Sequence, residues 1–225
     1  MNRNDYAVIS VGGSLTSPTT SGPDIVFLKK LKSFVFKYRR WRFVLVCGGG
    51  MLTRSYIASA KKTGITDQNQ LDLLGIKTTQ VHAQLVASLL NVKVLHSLMD
   101  PIPKSSQVIV ASGYPPPGKS TDYIAVQLAR KVGEKRIINL TNIDYVYDKD
   151  PVRYKNAKKL LQISWPSYKK IIGGKWKPGL NSPFDPRASK LAQKYGMEVI
   201  IANGRKFNNL KKILSNKAFI GTVIN

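Results

Sequence analysis

Four short apolar runs, rich in β-branched residues, each end at a glycine or hydroxyl loop. Val8–Val11 stops at Gly12-Gly13-Ser14, and Val44–Val46 stops at Cys47 and Gly48-Gly49-Gly50. Val108–Ala111 stops at Ser112-Gly113 and a loop reaching Thr121, and Arg136–Leu140 at Thr141-Asn142-Ile143-Asp144. Glycine lets backbone N–H groups approach an anion closely, and hydroxyls donate to it. In open α/β sheets, ligands bind beyond the carboxyl ends of strands, where helix N-termini converge. Residues of these types in these places suit a ligand that carries several phosphates.

One apparent motif fails on chemical grounds. Gly113-Tyr114-Pro115-Pro116-Pro117-Gly118-Lys119-Ser120 matches the G-x4-G-K-[ST] phosphate loop and sits between a strand and a helix. That loop works through successive backbone N–H groups, and Pro115, Pro116 and Pro117 have none. Each hydrogen bond to a charged group is worth roughly 1.5–3 kcal/mol, so losing three undoes much of the cradle. Lys119, the hydroxyls of Ser120 and Thr121 and the following helix N-terminus still offer a site for phosphate.

The elements that must hold these loops can be read from periodicity. Asp24–Arg40 reads as a helix with Ile25, Leu28, Leu31 and Val35 on one face, and Met51–Lys62 as a helix whose N-terminus faces the triple glycine. A long helix runs from about Asn69 to Leu90, and Val92–Leu95 and Val108–Ala111 read as short buried strands. Thr121 is expected to cap a helix over Asp122–Val132, with Asp122 at its positive end. Trp165 to Pro183, rich in Gly, Pro, Lys and Trp, reads as a mobile surface segment. Asp185-Pro186 opens another helix, followed by a strand at Glu198–Ala202, a helix at Asn208–Leu214 and a strand at Ala218–Ile224. The alternation implies a single α/β domain over residues 1–225, a three-layer αβα sandwich on a mostly parallel sheet.

Composition excludes several classes. At 225 residues with 43% hydrophobic content, the chain has ample length for a packed core. No apolar stretch approaches the ~18–20 residues of a membrane span. A strand begins a few residues after Met1, leaving no room for a signal peptide, and a cytoplasmic location is expected. The lone Cys47 excludes an intrachain disulfide, and His82 and His96 lack metal-type spacing. The 36 Lys+Arg against 12 Asp+Glu give a net charge of +24, which concentrates anionic substrates and favours loose, salt-sensitive nucleic-acid binding. These cations are scattered along the chain, with short clusters such as Lys37–Arg42.

Taken singly, the candidate residues have plain structural readings. Gly48–Gly50 serves equally as a tight turn, Asp122 as a helix-start acid, Asp144, Asp148 and Asp150 as a solvated turn, and Lys190 as a surface lysine. Their joint order carries more. Val11-Gly12-Gly13-Ser14, Gly48-Gly49-Gly50 with Arg54, Leu71-Asp72-Leu73-Leu74-Gly75-Ile76 and Gly118-Lys119-Ser120-Thr121-Asp122 come in sequence. Thr141-Asn142-Ile143-Asp144-Tyr145-Val146-Tyr147-Asp148-Lys149-Asp150-Pro151 and Asp185-Pro186 with Lys190 follow. This series resembles the amino-acid kinase family, and within it the archaeal-type UMP kinases, over nearly the whole chain. The eleven-residue block resembles T-N-V-D-G-V-Y-x-x-D-P and is the most specific element.

The resemblance implies transfer of the γ-phosphate of ATP to UMP, in pyrimidine nucleotide synthesis, with Mg²⁺ accompanying ATP. It implies that Gly13, Ser14, Gly50 and Arg54 hold the ATP phosphates, and that Thr141, Asn142, Tyr147 and Asp150 line the adenosine pocket. Gly49, Asp72 and the loop Tyr114, Pro115, Pro116, Pro117, Gly118, Lys119, Ser120 and Thr121 would hold UMP. Asp122 would orient a lysine, and Lys190 would stabilise the migrating phosphoryl group. A homo-oligomer, a hexamer built from dimers, is implied as well. The chain departs from the pattern at Ser10, where many members have a lysine two residues before the first glycine. Gln80 stands where related kinases often have an arginine, and Tyr145 replaces the glycine of the eleven-residue block. Another acceptor within the family, or a nucleic-acid-binding or regulatory protein on an impaired kinase scaffold, is the alternative.

Overall fold

The computed structural model describes residues 6–103, 105–173 and 182–225. In chain order the elements are β1 Tyr6–Val11, α1 Gly13–Thr16, α2 Ile25–Lys37, β2 Arg42–Cys47, α3 Gly50–Lys62, α4 Gln68–Leu90 and β3 Val108–Ala111. Then come α5 Thr121–Val132, β4 Arg136–Thr141, β5 Val146–Tyr147, β6 Lys159–Leu160, β7 Gln162–Ile163 and α6 Trp165–Ile172. The chain ends with α7 Pro186–Lys194, β8 Glu198–Asn203, α8 Phe207–Leu214 and β9 Thr222–Ile224.

Seven strands form one sheet in the order β3-β2-β1-β4-β8-β9-β7, with β5 and β6 pairing separately as an antiparallel hairpin. All neighbours in the large sheet are parallel except β8 and β9. Burial on both faces explains why the central strands read as unbroken apolar runs rather than alternating ones. One face carries α2, α4 and α8, through Phe27, Leu31, Ala83, Val86, Leu210 and Ile213. The other carries α5, α6 and α7, through Ile124, Leu128, Trp165, Tyr168 and Ala188. The expected three-layer αβα architecture is therefore present, and its layers come from helices with one apolar stripe each.

Local chemistry departs from expectation at four places. Val92–Leu95 is not a strand. It meets β3 at one rung, Val94 opposite Val110, then turns where Asp100 accepts from the His96 and Ser97 N–H groups at 2.9 and 3.0 Å. The last strand is only Thr222–Ile224, because both backbone groups of Ile220 are taken by the Asn209 side chain. Ser120, not Thr121, caps α5, its Oγ accepting from the Tyr123 N–H at 3.0 Å. The segment after Trp165 begins as helix α6, capped by Ser164, and buries Trp165 and Tyr168. Its Tyr168 hydroxyl donates to the Phe184 carbonyl at 2.9 Å and accepts from the Phe184 N–H at 2.8 Å. The rest of the segment expected to be mobile, residues 174–181, lies outside the described residues.

Candidate active site

The strand register aligns the loop ends. Val11 lies opposite Cys47 on one side and Leu140 on the other, and Val46 lies opposite Ala111. All four predicted loops therefore leave one edge of the sheet side by side. The first two are fastened together: the Gly48 N–H donates to Val11 O at 2.9 Å and the Met51 N–H to Ser17 O at 3.0 Å. A Cβ on Gly13 would lie 1.8 Å from the Gly50 nitrogen, and Gly50 itself has φ +62°. These two glycines are required by the backbones' approach to each other as well as by any phosphate. No side chain caps α3, whose N-terminus starts at Gly50, so its positive dipole end is available to an anion.

The loops enclose one cleft. Gly13, Ser14, Gly49, Gly50, Arg54 and Thr141 line it, as do Ser10, Asp72, Gly113, Lys119, Ser120, Thr121, Asp122 and Asp185. The wall bearing Asp72 is α4, the predicted acceptor helix. The Gly118 N–H donates to Asp72 Oδ2, and the Arg187 guanidinium donates to the Gly118 carbonyl. Burial pushes the Asp72 carboxyl above the ordinary range, against the opposing pull of the Gly118 N–H and Arg187. Gly118 thus ties the loop 114–121 to α4 through its N–H and to α7 through its carbonyl.

A buried polar cluster forms part of the cleft lining. Asp122, at the start of α5, accepts from the Ser10 hydroxyl at 2.8 Å and from Asn139 Nδ2 at 3.2 Å. Its other oxygen accepts from the Asp185 N–H at 3.2 Å. Asp185 caps α7 through the Arg187 and Ala188 N–H groups and accepts from the Ser120 hydroxyl. Burial, with the negative charge of Asp185 added, pushes the Asp122 carboxyl up to about 7. Burial raises Asp185 in the same direction. Among the described residues no lysine lies within ion-pair distance of Asp122.

The geometry gathers Gly13, Ser14, Gly49, Gly50, Arg54, Asp72, Lys119, Ser120, Thr121, Asp122 and Thr141 at the cleft. It leaves others outside the lining. Lys190 is exposed on α7, because the helix turns Ala188 and Ser189 inward and Lys190 out. Tyr114 is a core residue, 3% exposed, its hydroxyl donating to the Leu95 carbonyl at 2.5 Å. Pro115 and Pro116 are exposed, and neither they, Pro117 nor Gly118 line the cleft. Asn142 is exposed beside Thr141, Tyr147 lies in β5, and Asp150 is exposed in a turn, accepting from the Val152 N–H at 2.9 Å. Sequence reasoning missed Asn139 and did not assign Asp185 or Arg187 to the site. Asn139 had a signal, being a polar residue inside the apolar run RIINLT.

The model of the amino acid kinase family matches residues 5–203. The uridylate kinase of Thermoplasma volcanium is 35% identical over 231 residues, covering 98% of this chain and 98% of its own. That of Staphylothermus marinus is 30% identical, covering 96% and 97%. The crystal structure of uridylate kinase from Archaeoglobus fulgidus superposes with a TM-score of 0.77 at 28% identity, over 96% of this chain and 99% of that one.

Proposed function

The chain belongs to the amino acid kinase family, and on that footing we propose that it transfers the γ-phosphoryl group of ATP to UMP, giving ADP and UDP. The observation that carries this reading is the single cleft, lined by the paired glycine loops, the α3 N-terminus and Asp72 on the acceptor helix. Phosphoryl transfer asks for alignment of two phosphates and neutralisation of their charge more than for covalent chemistry. In this reading Gly13, Ser14, Gly50 and Arg54, which line the cleft, bind the ATP phosphates. The adenosine end then extends past Thr141 towards Asn142, Tyr147 and Asp150. Asp72 accepts from the UMP ribose hydroxyls while its Oδ2 keeps the acceptor loop in place. Lys119, at the cleft wall, is the cation assigned here to the migrating phosphoryl group in place of Lys190.

ATP would enter as its Mg²⁺ complex, the ion then coming with the substrate. The cleft carboxylates Asp122 and Asp185 already accept from Ser10, Asn139 and Ser120. Phosphate oxygens and water therefore remain the ion's main ligands, the coordination this hard cation prefers. When bound, it would offset negative charge on the ATP phosphates.

A place in pyrimidine nucleotide synthesis, in the cytoplasm, goes with this activity; no helix of the described residues is long and apolar enough to cross a membrane. Assembly into a homo-oligomer, a hexamer built from dimers, belongs to the same proposal. Val81 and Leu85 of α4, exposed at 61% and 40%, offer apolar surface for it. The test is purified chain with Mg-ATP, presented in turn with UMP, CMP, isopentenyl phosphate and N-acetylglutamate. UMP-dependent ADP release is expected. Release with another acceptor alone, or with none, overturns the assignment.

A further inference from the structure

The fold brings together two basic segments that are distant in sequence. Residues 25–42 contain Lys29, Lys30, Lys32, Lys37, Arg39, Arg40 and Arg42 and no acidic residue. Residues 204–217 contain Arg205, Lys206, Lys211, Lys212 and Lys217, again with no acidic residue. Helices α2 and α8 lie on the same face of the sheet, joined by Phe34 against Phe207 at 5.5 Å and Phe27 against Phe207 at 5.9 Å. Between them runs a groove of ≈ 760 Å³, separate from the cleft in its lining residues. Lys29, Lys30, Lys37 and Lys212 line it together with Arg205 and Lys206.

Two of these cations are already neutralised: Arg205 pairs with Asp24 at 2.6 Å and Lys206 with Asp144 at 2.7 Å. The other four have no acidic partner among the described residues. Like charges held close together repel one another, and an anion lying between them relieves that repulsion. The floor is different in kind. Phe34, Tyr38 and Phe207 line it, with the Phe34 and Tyr38 rings 4.5 Å apart, and Ile220 closes it, 39% exposed. Lysine walls over an aromatic floor match a ligand with repeated phosphates and flat apolar faces. From Lys29 to Lys37 the cations extend roughly 12 Å along α2, and Arg39 and Arg40 continue beyond. That is a track rather than a point.

We propose that this α2–α8 groove binds single-stranded polynucleotide, with the phosphodiester backbone on Lys29, Lys30, Lys37 and Lys212 and bases against Tyr38 and Phe207. The site is independent of the catalytic cleft and gives the +24 charge a defined place of action.

The test is fluorescence anisotropy of a labelled oligouridylate of about 15 nucleotides, a length within or near the footprint of such platforms, over a salt series. Two variants of the full chain carry the same charge change. The groove variant is Lys29→Glu/Lys30→Glu/Lys37→Glu/Lys212→Glu. The control is Lys155→Glu/Lys158→Glu/Lys169→Glu/Lys170→Glu, at exposed sites elsewhere. The groove variant should lose affinity on the order of tenfold or more, and its log–log salt slope should fall by up to about 3, at ~0.7 per contact. The control should stay within about threefold of wild type. UMP-dependent turnover and the thermal midpoint should persist in both, showing intact folding. Equal losses in the two variants would show that net charge alone binds RNA, and would overturn the proposal. Unchanged binding by the groove variant, or equal affinity for a duplex of the same length, would also overturn it.

Discussion

Ser10 and Asn139 face each other on adjacent parallel strands, β1 and β4, and both donate to the same oxygen, Oδ1 of Asp122. Each is a polar residue within an otherwise apolar central strand, 2% and 3% exposed respectively. A buried hydroxyl or amide is costly unless it is hydrogen-bonded. Here the two satisfy each other's surroundings by supplying neutral donors to a carboxylate in the cleft lining. Ser10, where the family resemblance implies a lysine, therefore contributes a hydrogen bond instead of a charge.

That arrangement makes stability depend on pH in a defined direction. The Asp122 carboxyl is pushed by burial, and then by Asp185, from its ordinary value to about 7. Between about pH 4 and 7 the folded chain holds a proton that the unfolded chain releases. The stabilisation is therefore present at low pH and lost as pH rises through this window. Asp122→Asn removes the titration, so its stability relative to wild type should rise from pH 5 to pH 8. The gain should be roughly 2–3 kcal/mol, at 1.36 kcal/mol per unit over the two units from pH 5 to about 7. Urea unfolding at pH 5, 6, 7 and 8 measures it. A constant difference at all four would show that Asp122 is ionised throughout.

Asp72 should separate the two substrates. A hydrogen bond to a charged group is worth roughly 1.5–3 kcal/mol, about ten- to a hundredfold in binding. Asp72→Ala should raise the KM for UMP by about that factor and leave the KM for ATP within roughly threefold. Asp72→Asn keeps an acceptor for the Gly118 N–H, so the loop stays in place and the KM for UMP should rise less. Equal rises for both substrates would place Asp72 outside the acceptor site.

The gathering of the loops was legible because strand ends announce themselves: β-branched runs stopping at Gly12, Gly48, Ser112 and Thr141 all reached one sheet edge. The N-cap and proline of α7 were equally plain in Asp185-Pro186. What escaped was decided by tertiary partners. Periodicity could not show that Asn209 would take both backbone groups of Ile220 and shorten β9. Nor could spacing show that Lys190 falls on the outward side of α7 while Arg187 reaches the acceptor loop. Tyr114 belonged to a loop by sequence, yet its ring fills the core. Cations scattered in sequence became a groove only when α2 met α8.

Gly13 and Gly50 are joined by steric necessity. A Cβ on Gly13 would fall 1.8 Å from the Gly50 nitrogen, a backbone atom with nowhere to retreat. Gly13→Ala should cost about 3 kcal/mol or more and abolish turnover, because the two phosphate loops must part. Gly64 supplies the comparison: it has φ +91° but open space around it, so Gly64→Ala meets only backbone strain. That should cost about 1–2 kcal/mol with turnover retained. Thermal unfolding and initial rates distinguish the two, and similar costs would mean the loops accommodate a methyl group.

Two lysines compete for the role of meeting the transferring phosphoryl group. Lys119 lines the cleft beside Ser120 and Thr121, whereas Lys190 points to solvent from α7. A cation aimed at developing charge in a sheltered site is worth far more than one in water. Lys119→Met should therefore lower kcat by roughly 10²–10³-fold, the loss typical of removing one transition-state donor. Lys190→Met should leave kcat within about threefold, as expected of an exposed side chain outside the cleft. Substrate-saturated rates for both variants decide the matter. If Lys190→Met proves the damaging change, the helix α7 must rotate that side chain inward when nucleotides bind, and the assignment returns to Lys190.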